Sequence, residues 1–295
     1  MPRLIKKRKA TRVPKKNILV FYHKNCTDGF GAAWAAWKKF GKRAEYIPLD
    51  PREVPPWPIK NKTVYMLDNS FSPENLKKLL KENKKVMVID HHSSSEKDIK
   101  TAPEYVFDLN HSGAVLAWKY FHPGKRIPKI LLHAEDEDLW RFKLPNTKAI
   151  FAGIDSSDFE FKSWNNLARE IENPITRRDL VRRGAFVLNF QKNMVRQIAQ
   201  NAEVVRFEGI KTLAVNSPVL ESDIGHYLYE KLPPMGIVWR RRNGKITFSL
   251  RSNGKVDVAK LAGKYGGGGH AGSAGFAIKA DKKLPWKMIR KSYER

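Results

Sequence analysis

The 295-residue chain carries 56 lysines and arginines against 30 aspartates and glutamates, a formal net charge of +26 on a globular composition that is 41% hydrophobic. That length suits two ordinary domains with a sizeable core, and the charge favours polyanionic partners such as nucleic acid, anionic membrane or polyphosphate, although a Lys-rich surface also serves solubility or thermostability. The absence of any run of 18 apolar residues excludes a membrane-spanning helix, no secretory apolar stretch follows the basic start, and the single Cys26 excludes an intrachain disulfide framework and fits a reducing cytoplasm.

Residues 1–16 hold eight basic residues and no acid, which predicts a mobile arm that either grips phosphates or is a solvated tail. Ile18 to Tyr22 reads as a first buried strand, running into His23-Lys24-Asn25-Cys26-Thr27-Asp28-Gly29. An Ala-rich helix follows and closes near Gly41. The prolines from Pro51 to Pro58 exclude helix. Val64 to Leu67 is a second strand with Asp68 at its end, and Ser72-Pro73-Glu74 starts a helix over Leu76 to Leu80. Val86 to Ile89, four apolar residues in succession, then delivers Asp90-His91-His92.

Strands alternating with helices imply a parallel sheet with right-handed crossovers, so the three strand ends share one edge. Open α/β sheets place their ligands at that edge. Clustered carboxylates repel unless cations or protons offset them, which makes a metal site the sharper reading of these acids and histidines. A strand end with solvated polar residues is the plainer one.

Asn110 to Ala114 caps a helix running through Trp118 and Phe121. Further on, Glu135-Asp136-Glu137-Asp138 lies between apolar residues, so at least one of these acids is expected to point inward. From Pro174 to about Ala202 the apolar residues follow helical spacing, as in a helix that connects two domains with a boundary near 200. In the last part, Ile246, Phe248 and Leu250 alternate with polar residues that include Arg251. Asn243-Gly244 marks a hairpin turn linking them to Met235–Trp239. Val256 to Ala262 looks helical and leads into Gly266-Gly267-Gly268-Gly269-His270, where four glycines leave the backbone free to present N–H groups to an anion.

Taken together, Asp90-His91-His92 and the later Gly-Gly-Gly-Gly-His motif resemble the DHH/DHHA1 phosphoesterases over about residues 17 to 280. The family includes RecJ-type exonucleases, nano-RNases, phosphoadenosine-phosphate phosphatases and cyclic dinucleotide hydrolases. The resemblance implies an α/β fold: a parallel-sheet DHH domain (17–172) with helices on both faces, then a connecting helix (173–202) and a smaller mixed α/β DHHA1 domain (203–295). It implies two divalent cations, manganese first with magnesium, cobalt or zinc as alternatives. Carried over residue by residue, the implied metal ligands are His23, Asp28, Asp68 (as a bridge), Asp90, His91 and Asp136, with Asp138 as the fallback for Asp136. His92 and Asp90 take the catalytic roles, His92 facing the phosphate. Arg251, Gly268, Gly269 and His270 hold the substrate.

One position departs from the family pattern: its first motif reads Asp-x-Asp-Gly, and here Cys26 stands in place of the first acid. A thiolate favours softer metals. Either Cys26 is a ligand that alters metal choice, or one site is weaker and is filled by His23, Asp68 and water. A buried, inert thiol is the third option. The expected activity is hydrolysis of short RNA or single-stranded nucleic acid from one end. Alternatives are a phosphatase or phosphodiesterase of small nucleotides, a polyphosphatase, or a DHH module that only binds nucleic acid. A homodimer is an open option, and no membrane partner is expected.

Overall fold

The computed structural model describes residues 14–50, 53–55 and 57–291. The described residues form two compact units, one of those up to 91 with 95–185, the other of 92–94 with those from 186 on. Among the described residues no helix is long and apolar enough to cross a membrane.

In the first unit, β1 (Ile18–His23), β2 (Ala44–Leu49), β3 (Thr63–Leu67), β4 (Lys85–Asp90) and β5 (Tyr105–Phe107) form a wholly parallel sheet in the order 2-1-3-4-5. Helix α1 (Thr27–Phe40) links β1 to β2, and α2 (Pro73–Glu82) links β3 to β4. A short α3 (Glu96–Ile99) precedes β5. It is followed by α4 (Gly113–Phe121), α5 (Lys129–Asp138), α6 (Thr147–Asp155) and α7 (Phe161–Glu172).

The continuous apolar strands serve two cores at once, because successive side chains of a strand point to opposite faces. Val20, Tyr65, Leu67, Met87 and Ile89 enter one core with residues of α1, α4, α5 and α7. Their strand neighbours Leu19, Phe21, Val64, Met66, Val86 and Val88 enter the other, with Leu76 and Leu79 of α2. Helices on both faces are thus required by the strand composition.

Strand β2 was not legible in the sequence. It is an edge strand of mixed burial that contains Pro48, whose missing N–H an edge tolerates. The elements that the sequence did anticipate in this unit, β1, α1, β3, α2, β4 and α4, fall near their predicted places, whereas α3, β5, α5, α6 and α7 were not anticipated. Gly41 closes α1, and Ser72 and Ser112 stand at the N-caps of α2 and α4. Of the basic arm, residues 1–13 lie outside the described residues. Lys16 is tied down, its amine donating to the carbonyls of Lys42 and Ala44.

The expected long helix is α8 (Pro174–Ala199), which contributes residues to each unit. In the second unit, β6 (Glu203–Phe207), β7 (Ile210–Asn216), β8 (Met235–Arg242), β9 (Lys245–Ser252), β10 (Gly268–His270), β11 (Ser273–Lys279) and β12 (Trp286–Arg290) make a mixed sheet in the order 10-11-9-8-7-6-12. Only β7 and β8 pair in parallel. Helix α9 (Glu221–Lys231) covers one face, with Ile224 and Leu228 meeting Val215 and Val238. Helix α10 (Val258–Gly263) covers the other, where Val258 and Ala262 meet Ile237, Phe248 and Phe276. Asn243 and Gly244, at φ 51° and 72°, form the predicted turn between β8 and β9.

Candidate metal centre

In a 2-1-3-4-5 sheet the chain leaves β1 in one direction and resumes at β3 on its other side. The connections at the carboxyl ends of β1 and β3 therefore diverge and open a crevice. His23 ends β1, Asp68 follows β3 and Asp90 ends β4.

Asp68 is buried, at 2% exposure, and holds φ at 51°, a left-handed conformation costly for a residue with a side chain. The strand pairing holds it there, since its N–H donates to Ile89 O at 2.9 Å. Its two carboxylate oxygens face different groups. Oδ2 lies 3.3 Å from His23 Nδ1 and 3.8 Å from Cys26 Sγ, while Oδ1 lies 3.3 Å from His91 Nε2. The same imidazole nitrogen is 3.6 Å from Asp28 Oδ2 and 3.5 Å from Asp138 Oδ2. Potential ligand atoms therefore gather in overlapping groups: His23, Cys26 and Asp68; Asp28, His91 and Asp138; and Asp68, Asp90 and His91. In each group the atoms lie within 4.8 Å of one another.

Asp28 sits in the first turn of α1 yet completes the start of α4. Its Oδ2 accepts from Gly113 N at 2.7 Å and its Oδ1 from Ala114 N at 3.0 Å, where a helix N-terminus favours an anion. Only glycine fits at 113, because a Cβ there would stand 2.7 Å from Asp68 Cβ and 3.0 Å from Asp28 Oδ2. Glu135 fixes the preceding turn, its Oε2 accepting from Ser112 N at 2.9 Å and meeting His111 Nδ1 at 3.0 Å. Gly113 and Glu135 were missed as parts of the site. The inward acid expected among residues 135–138 was the available signal for Glu135.

The electrostatics suit a cation. Burial raises the Asp28 pKa well above the carboxylate range, and the charges of Asp138 and Asp68 raise it further. Burial lowers the pKa of His91, but its hydrogen bond to Asp68 and the charges of Asp138, Asp28 and Asp68 outweigh this and lift it to about 10. The carboxylates around His91 thus favour positive charge at this point of the cluster. Burial pushes the Cys26 thiol well up, and the neighbouring carboxylates add to the effect. Carboxylates and imidazoles at these separations fit hard or borderline divalent cations. Asp90 supports the cluster by accepting from His91 N at 2.7 Å.

Asp136 requires a correction. Its carboxylate turns away from His91 into the loop after α5, accepting from Lys143 N, Leu144 N and Thr147 Oγ1 at 2.8, 3.0 and 2.6 Å. Asp138, two residues on and so on a different side of the helix, is the acid beside His91. Asp136 is a structural brace, and the fallback residue stands in the cluster.

In the second unit, Arg251 extends beside Gly225 and is held by Ser249 Oγ (2.9 Å), Leu250 O (2.9 Å) and Ser222 Oγ (2.7 Å). The glycine run is not an open nest, which corrects the free-backbone expectation. Gly266 N and Gly267 N donate to Gly263 O and Ala262 O, and Gly268–His270 pairs with β11 as a strand. The glycines serve close approach instead: a Cβ at Gly267 would sit 2.1 Å from Gly275 O, and Gly269 has φ 139°. The segment His92–Ser94 packs in this unit. Gly269 N donates to Ser94 Oγ at 3.0 Å, and the His92 and His270 rings stack at 4.9 Å.

Residues 17–138 match the model of the DHH family, N-terminal domain, and residues 225–286 match that of the DHHA1 domain. The chain is 30% identical over 300 residues to an uncharacterised protein of Acanthamoeba polyphaga mimivirus, covering 92% of this chain and 70% of that protein. Its fold is similar to the DHH domain of a member of the s1p family of ribosomal proteins (TM-score 0.62, 16% identity, 92% and 83% of the two chains). It is also similar to an exopolyphosphatase-related protein from Bacteroides fragilis (TM-score 0.54, 14% identity, 91% and 88% of the two chains). With both domains matched in order along one chain, the protein belongs to the DHH/DHHA1 phosphoesterase family.

Proposed function

We propose that the chain is a divalent-metal-dependent phosphodiesterase that removes mononucleotides from one end of short RNA or single-stranded nucleic acid. The observation that carries this reading is Asp68, which turns one carboxylate oxygen toward His23 and the other toward His91, as a residue bridging two cations would. His23 and Asp68 would hold one cation, and Asp28, Asp68, His91 and Asp138 the other, with manganese the first candidate. Such ions supply charge for the phosphoryl oxygens and lower the pKa of the attacking water.

The protein's own residues position the chemistry. Asp90 fixes the backbone of His91, and the start of α4 fixes Asp28. His92, the next residue in the chain, is assigned to meet the phosphate and to protonate the leaving oxygen. Arg251, Gly268, Gly269 and His270 are assigned to hold the substrate. The charge of +26 supports a chain of phosphates over a small phosphomonoester. Cys26 favours a second reading, a module that binds nucleic acid with one cation site weakened.

Labelled RNAs of two to five nucleotides, incubated with manganese, magnesium, cobalt or zinc, separate these readings. Manganese-dependent release of mononucleotides is expected. Intact oligomers alongside dephosphorylated phosphoadenosine phosphate would transfer the assignment to small nucleotides. Retarded but uncleaved oligomers under every metal would leave the binding module.

A further inference from the structure

The exposed end of the second sheet carries a feature that catalysis at the metal centre does not use. The pairing registers place Arg242 directly opposite Lys245, and Lys245 directly opposite Lys279, so three neighbouring strands put three exposed cations in one row. Residues directly opposite share a face about 5 Å apart, and like charges there are destabilising. Among the described residues none of the three side chains has an acidic partner. Arg240, one step inward on β8, does, its Nη1 lying 2.8 Å from Glu221 Oε1.

The same registers show what lies beside that row. On this face β9 continues with Thr247, Ser249 and Arg251, and β11 with Ala277, Gly275 and Ser273. Their neighbours Ile246, Phe248, Leu250, Ala274, Phe276 and Ile278 point to the opposite core. From Lys245 to Arg251 is six residues, or about 20 Å of strand. Helix α9 crosses this face at Ser249, which is buried, and at Arg251, which packs beside Gly225. The open strip is therefore the β11 side, with Ala277 exposed and Gly275 and Ser273 half-buried, between the cation row at one end and Arg251 at the other.

We propose that this strip is a binding track for single-stranded nucleic acid, with Arg251 at one end and the Arg242–Lys245–Lys279 row gripping phosphates at the other. The proposal rests on the nucleic-acid reading above and adds to it a dependence on length. A dinucleotide held at Arg251 would not span about 20 Å, whereas a longer strand would. Small side chains at Gly275 and Ala277 let a sugar-phosphate backbone lie close to the sheet, and unpaired cations in a row offer it repeated charge contacts.

The test uses the full chain without metal, so that binding is read apart from cleavage. Fluorescence anisotropy compares wild type with the triple variant Arg242→Gln/Lys245→Gln/Lys279→Gln on a labelled 20-nucleotide single strand across salt concentrations. The variant is expected to bind roughly tenfold or more weakly at low salt, with a slope of log affinity against log salt shallower by about 2, the loss of three single-strand phosphate contacts. Lys245→Arg/Lys279→Arg should bind as wild type does. Equal affinity and slope for the triple variant would overturn the track. So would unchanged oligonucleotide binding alongside lost binding to phosphatidylserine vesicles, which would make the row a lipid contact. Dinucleotide cleavage with manganese, assayed separately, should be equal in wild type and triple variant. Its absence from both would sink the proposed activity while the anisotropy still decides the track.

Discussion

Asp28 and Gly113 are 85 residues apart in the chain, yet the Gly113 N–H donates to the Asp28 carboxylate at 2.7 Å, so one acid both starts a helix and lines the cation cluster. Changing either partner should therefore affect both stability and activity. Gly113→Ala would force a methyl group to within 3.0 Å of Asp28 Oδ2 and 2.7 Å of Asp68 Cβ. A cost of about 1–3 kcal/mol is expected, which for a domain of this size is a fall of several degrees in Tm. Turnover should fall by more than the loss of folded protein explains. Calorimetry and the oligonucleotide assay check the two parts, and a variant with wild-type turnover would remove Gly113 from the site.

Asp136 and Asp138 should separate cleanly. Asp138→Asn removes a carboxylate from beside His91 and should weaken manganese binding by more than about 10–100-fold, the range for losing an outer-shell partner. Without metal its Tm should stay at or above wild type, since it relieves charge repulsion. Asp136→Asn should instead lower Tm through its lost turn, at about 1–3 kcal/mol, and leave manganese affinity unchanged. Titration calorimetry with unfolding curves would expose a reversed pattern.

The Asp136 brace also carries a pH signature. Burial raises its pKa, but hydrogen bonds from Thr147, Leu144 N and Lys143 N outweigh that and hold it below the usual range. A depressed acid stabilises the fold above its unfolded pKa, about 3.9, and that share is lost as pH falls through the folded value. The Tm gap between wild type and Asp136→Asn should thus be full near neutrality and close below about pH 4. A gap independent of pH would mean that the carboxylate charge does not matter.

Metal binding should be visible as stability. The buried acids of the cluster repel one another, and a divalent cation binds the folded chain alone, so saturating manganese should raise Tm. At 100 times Kd the gain is about 2.7 kcal/mol. A chelator should reverse it, and Asp68→Asn should abolish it. An unchanged Tm with manganese would mean that the cluster holds no ion.

Cys26 is the place to test metal choice. Burial and the neighbouring carboxylates raise its thiol pKa, and its Sγ lies 3.8 Å from Asp68, so its surroundings disfavour the thiolate. Cys26→Asp, which restores the family's acid, should strengthen manganese and magnesium binding relative to zinc, and Cys26→Ala should change manganese affinity little. A large loss on Cys26→Ala would make the sulfur a ligand.

The primary structure alone determined the alternating parallel architecture, because strands apolar on every residue can only be buried between two layers of helices. It also determined that Asp28, Asp68, Asp90 and His91 lie near strand ends, since polar residues that close apolar runs have nowhere else to go. Strand β2 escaped notice because its edge position tolerates Pro48 and half-exposed side chains. Only the tertiary structure chose between Asp136 and Asp138, because two residues along α5 separate a carboxylate beside His91 from one that braces the following loop. It also tied down the four-glycine run, Gly266 and Gly267 to the end of α10 and Gly268 and Gly269 to β11 as a strand. Register, finally, aligned Arg242, Lys245 and Lys279, residues whose spacing in the chain shows no relation until three strands lie side by side.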